Sequence, residues 1–205
     1  MAYKWNPHKG QYYDPKTGRF VSRAVVDGFV DREIARLQAE AQKLTADMSK
    51  GNLALEAWAN SMRALIKRSH LAIGMLGAGG KIGANQNILA RIGGILRGQF
   101  RFLDRWVDQL KRGIPATAKA LGQLQFRADM YISGARRELY EGQLAAAKAV
   151  GKTKKRRVLG EAEHCDDCKR EAGLGWVDIG DTRVTIPGDG NTVCLTKCQC
   201  QLRFK

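Results

Sequence analysis

Cys165, Cys168, Cys194, Cys198 and Cys200 are the only cysteines of this chain, and all of them fall in its last 41 residues. They stand as His-Cys-Asp-Asp-Cys, then 25 residues, then Cys-Leu-Thr-Lys-Cys-Gln-Cys. Two thiols separated by two residues can turn both sulfurs toward one point. A second group returning from a distance completes a tetrahedral cage for a soft divalent ion. The spacing predicts a structural zinc (Zn2+) site. Cys165, Cys168 and Cys198 are its first ligands, Cys194 and Cys200 rivals for the fourth place, and His164 a reserve. Two disulfides, or thiols without a ligand, are the competing readings. An all-thiolate set leaves no open position for water, which argues against a catalytic metal.

Other chemistry is thinly represented. His8, His70 and His164 stand in unrelated contexts, and no Ser/His/Asp set or paired acid array can be assembled. The glycine-rich run Gly74–Gly83 fails as a phosphate loop: Lys81 is followed by Ile, and no strand precedes it. A non-enzymatic protein is expected.

The formal net charge of +15 points to a polyanionic partner, against the plainer reading of a solvated basic surface. Between Ser61 and Arg112, ten Lys or Arg face only Asp104 and Asp108. Arg97, Arg101 and Arg105 recur every four residues and should line one helix face, suited to phosphates or to acidic protein. Lys154, Lys155, Arg156 and Arg157 lie in a basic run read either as a nucleic-acid patch or as a solvated hinge. No helix shows the constellation that reads base edges, so any nucleic-acid contact would be sequence-independent. Aromatic residues are sparse, which disfavours a stacking platform.

The elements that must position these groups follow from periodicity. Asp14-Pro15 and Gly18 suit a bulged turn between short strands at Tyr12-Tyr13 and Phe20-Val21. Residues 1–24 therefore read as a hairpin arm ordered against the helices or a neighbouring subunit, or else as a flexible terminus. Val30, Ile34, Leu37, Ala41, Leu44 and Met48 mark a first helix, ended by Gly51, with Asn52 offered as the cap of the next. A second helix carries Leu55 to Leu76, and a third runs from about Asn85 to Arg112, with Gly113-Ile114-Pro115 as its stop. A fourth spans about Thr117 to Val150, weakened by Gly122, Gly134 and Gly142. Short strands follow at Arg157–Leu159, Trp176-Val177, Arg183–Ile186 and Gln201–Phe204.

The expected fold is mostly α: a helical bundle (25–151), an N-terminal hairpin arm (1–24) and a small C-terminal β-rich zinc-binding knob (152–205). The knob has little core of its own and needs the metal as a staple. No apolar stretch is long enough to span a bilayer and no secretory leader is seen, so no membrane contact is expected and an intracellular product is.

Four segments carry a resemblance: Tyr131–Tyr140, Arg157–Cys168, Ile186–Gly190 and Cys198–Leu202. Together they resemble the C-terminal portion of the minor head (head-morphogenesis) proteins of tailed bacteriophages, over residues 120–205. Tyr13–Val21 is also similar to short leaders of phage structural proteins. The resemblance implies a virion component of the phage head, assembled in the bacterial host cytoplasm. Its implied partners are major capsid or portal protein, further copies of itself and packaged DNA. The family loop usually holds His-Pro before the last cysteines; here Cys194-Leu-Thr-Lys stands there, which leaves the third and fourth ligands open. The alternative is a zinc-binding, sequence-independent nucleic-acid-binding protein.

Overall fold

The chain is described by a computed structural model, over residues 3–80, 86–113, 117–160, 162–194 and 198–205. Helix α1 (Arg23–Ser49) opens with Ser22 accepting a hydrogen bond from the Val25 amide. It closes at Gly51, where the Gly51 and Asn52 amides donate to the Met48 and Asp47 carbonyls. Helix α2 (Leu55–Gly77) is capped by Ala54 rather than by Asn52: the glycine turn consumes Asn52 in ending α1. Helix α3 spans Gln86–Leu110. Ile114, Pro115, Asn85 and Lys81–Gly83 lie outside the described residues.

The single fourth helix expected between Thr117 and Val150 is two. Helix α4 (Ala118–Ser133) starts on a Thr117 cap, and α5 (Ala135–Ala149) follows directly after Gly134. The break lets each half serve a different partner. Helix α4 lies along α1, with Gln38 donating to Ser133 and Gln42 to Asp129; α5 lies along α2.

The α2–α5 seam is a backbone contact. A Cβ on Gly77 would stand 2.1 Å from the Leu139 carbonyl oxygen, and one on Gly142 would stand 2.7 Å from that of Gly74. Gly74 and Gly77 of the glycine-rich run thus lie inside α2, where the absence of a side chain lets α5 approach. The bundle centre is aromatic: Trp58 meets Trp106 edge-on at 4.9 Å, and Trp106 stacks on Tyr131.

The N-terminal arm is a three-stranded antiparallel sheet of β1 (Lys4–Asn6), β2 (Gln11–Tyr13) and β3 (Phe20–Val21). Gly18 at φ +68° closes the β2–β3 turn as its sequence predicts. Strand β1 was not foreseen. The arm is ordered against the helices: Trp5 and Tyr12 are buried, and Gln143 of α5 donates to the Tyr12 hydroxyl at 2.6 Å.

After α5 the chain forms β4 (Lys154–Val158), helix α6 (Asp166–Gly173), β5 (Val177–Asp178) and β6 (Gln201–Phe204). Strand order is β5-β4-β6, all antiparallel. The basic run read as a hinge is thus the central strand of this sheet. The strand expected at Arg183–Ile186 does not form. There Glu171 binds the Thr185 amide at 2.7 Å, so a side chain takes the place of a ladder partner. Val177, Val184 and Leu202 join the same apolar core as the helices. No helix among the described residues is long and apolar enough to cross a membrane.

Candidate metal centre

The Cys165–Cys168 pair owes its geometry to α6, an element that periodicity did not reveal. Cys165 is the extended residue just before the helix, and Cys168 lies in its first turn, three residues on. That offset brings both side chains to one side of the helix start. Asp166 and Asp167 occupy the same turn, where negative charge complements the exposed amides. Asp167 also accepts a hydrogen bond from the Val193 amide, which ties the loop before Cys194 to the helix.

The remaining thiols arrive from the end of the chain. Cys198 and Cys200 lie just before β6 and are buried; the Tyr140 hydroxyl of α5 donates to the Cys200 carbonyl at 2.8 Å. Sulfur–sulfur distances are 3.7 Å for Cys165–Cys194, 3.5 Å for Cys168–Cys194 and 3.7 Å for Cys168–Cys198. His164 Nδ1 stands 3.4 Å from the Cys200 sulfur. Its Nε2 lies 3.0 Å from the Gly160 carbonyl. A carbonyl only accepts, so Nε2 carries the proton and Nδ1 offers a lone pair. All five cysteines and the reserve ligand His164 therefore converge. Two trios, Cys165/Cys168/Cys194 and His164/Cys168/Cys200, each have donor atoms within 4.8 Å of one another. A Cys/His cluster able to hold a metal ion is what the chain builds here. All five thiols are free, so the two-disulfide reading is not what forms.

Arg157 sits at the centre of the site. Its side chain is fully buried and donates to the Cys168 and Cys198 sulfurs at 3.5 and 3.3 Å. The other arm of the guanidinium binds Thr185 and pairs with Glu171 at 3.0 Å. Burial alone pulls the Arg157 pKa down, but the hydrogen bond with Cys200 and the charges of Glu171, Cys198 and Cys200 more than reverse it. The Cys198 thiol is lowered to about 4, first by a hydrogen bond from the Cys200 side chain and then by the Cys200 amide and Arg157. Burial pushes the Cys168 and Cys194 thiols up.

The basic residues singled out by sequence divide sharply. Arg97, Arg101 and Arg105 are exposed on α3, on the face away from buried Leu96, Leu103 and Leu110. Lys154 is exposed, and Arg156 lies over the Trp176 ring at 4.7 Å. Lys155 and Arg157 are corrected from surface contacts to interior groups, at 5% and 2% exposure. Strand alternation is the cause: 154 and 156 face out, 155 and 157 in. That period of two was the available signal, and the run of like charge hid it.

No family model, curated protein or solved structure matches this chain.

Proposed function

We propose that this chain is a non-enzymatic minor structural protein of a tailed-bacteriophage head, whose C-terminal knob is shaped by bound zinc. One observation carries the reading. The residues behind the phage resemblance, His164–Cys168 and Cys198–Cys200, lie far apart in sequence and meet at one donor cluster. Zinc fits that cluster: four thiolates at about 2.3 Å around a tetrahedral ion stand about 3.8 Å apart. The observed spacings of 3.5–3.7 Å approach that value.

The work of such a protein is done at interfaces. Where the arm meets the tail lies a cleft of about 430 Å³. Lys9, Arg156, Arg203 and Lys205 line it, and no acidic residue does among the described residues. This surface and the α3 arginines suit the acidic wall of a capsid or portal subunit. The test is quantitative mass spectrometry of purified particles produced from the genome that encodes this chain. The chain should be present at a fixed copy number, together with zinc. Its absence from particles that are otherwise complete overturns the reading.

The exposed row Arg97, Arg101 and Arg105 favours a second reading, a free zinc protein that binds nucleic acid without sequence preference. That reading requires the isolated chain to bind duplex DNA with a steep salt dependence.

A further inference from the structure

We infer that the cluster holds two metal ions, not one, with Cys168 and Cys198 as shared sulfurs. The inference rests on the metal-binding reading of the tail and extends it.

A single tetrahedral ion uses four donors. Six converge here: five sulfurs and the Nδ1 of His164. They do not surround one point. Cys165 and Cys194 lie 3.7 Å apart on one side of Cys168, with Cys168 itself 3.5 Å from Cys194. His164 and Cys200 lie 3.4 Å apart in a second trio, which again includes Cys168. Cys198 stands 3.7 Å from Cys168, the sulfur common to both trios. Each side thus has two donors of its own and shares the Cys168 sulfur, and Cys198 stands beside that shared sulfur as the second bridge of the proposed centre. Two ions, each with two terminal and two bridging ligands, use all six donors and complete both tetrahedra.

Two further features agree. His164 is prepared as a ligand rather than as a spectator, since its Nε2–H is anchored on the Gly160 carbonyl and its Nδ1 lone pair points to Cys200. Arg157 Nη1 touches Cys168 and Cys198, the two sulfurs assigned to bridge. A bridging thiolate keeps one lone pair free, and a guanidinium hydrogen bond can occupy it.

The test is a metal count on the full-length chain, loaded with zinc and dialysed against a weak chelator. About two zinc ions per chain are expected. His164→Gln combined with Cys200→Ser should lower the count to about one, as should Cys165→Ser combined with Cys194→Ser. Cadmium-113 loaded chain should give two resonances, each split by coupling through the shared sulfurs. One zinc per native chain, whichever variants remove it, overturns the two-ion centre and leaves a one-ion knob standing. No zinc at all overturns both. The native count decides even where a variant fails to fold.

Discussion

The Arg157 guanidinium lies 3.3 Å from the Cys198 sulfur and 3.0 Å from the Glu171 carboxylate, and all three groups are buried. A cation thus joins the thiol cluster to the loop that carries Thr185. Arg157→Leu strands the Glu171 carboxylate, and breaking such a buried pair costs about 3–5 kcal/mol. Denaturant unfolding of the zinc-loaded chain should show this loss. Adding Glu171→Leu should recover part of it, because the orphaned charge is gone.

Metal binding should release protons. Without an ion, Cys198 is already a thiolate at neutral pH, while burial keeps Cys168 and Cys194 protonated. A bound ion must displace those two protons, and a third that Cys198 and burial hold on Cys200 where that sulfur also binds. Affinity therefore rises with pH and falls on acidification. Titration calorimetry at pH 7, in buffers of different ionisation enthalpy, measures the number. In the metal-free chain the depressed Cys198 pKa stabilises the fold fully above the ordinary thiol range. That contribution drains away as the pH falls toward about 4.

The α2–α5 seam should not accept a methyl group. In Gly77→Ala the added carbon meets the Leu139 carbonyl at 2.1 Å, a backbone atom that no rotamer change can move. The helices must separate, at a cost of about 1–3 kcal/mol or more. Gly98→Ala on α3 meets nothing within 4 Å and serves as the control, with a gain expected from helix propensity. Thermal melts of the two variants should move in opposite directions.

Arg97, Arg101 and Arg105 should be dispensable for folding. They are exposed, and changing each to Ala should move stability by about 0.5 kcal/mol or less. If duplex DNA is bound, the same change should flatten the slope of log affinity against log salt by about 0.9 for each phosphate that these arginines neutralise. An unchanged slope places the DNA on another surface.

Much of this fold was legible because its signals are local. The heptad-like stripe Val30–Met48, the bulged turn at Gly18 and the Cys165-x-x-Cys168 spacing each depend on neighbours within a few residues. What escaped depends on distant partners. Gly134 divides a helix because its two halves lie against α1 and α2. Residues Arg183–Ile186 have strand-like composition, yet Glu171 and Arg157 bind Thr185 from other elements. Arg157 had the composition of a surface cation. Only the sheet register, with Arg157 opposite Leu202, turns it inward beneath the thiols.

The four tryptophans mark three regions: Trp5 in the arm, Trp58 and Trp106 in the bundle, and Trp176 in the tail. Trp58 and Trp106 cross at 86° in the bundle, close enough for their excited states to mix. Trp176, in the tail, has Arg156 and Lys205 each 4.7 Å from its ring centre. A chain that keeps only Trp176 would report on the tail, and one that keeps only Trp58 and Trp106 on the bundle. Loosening of each region could then be timed separately by comparing the two chains, with no label attached.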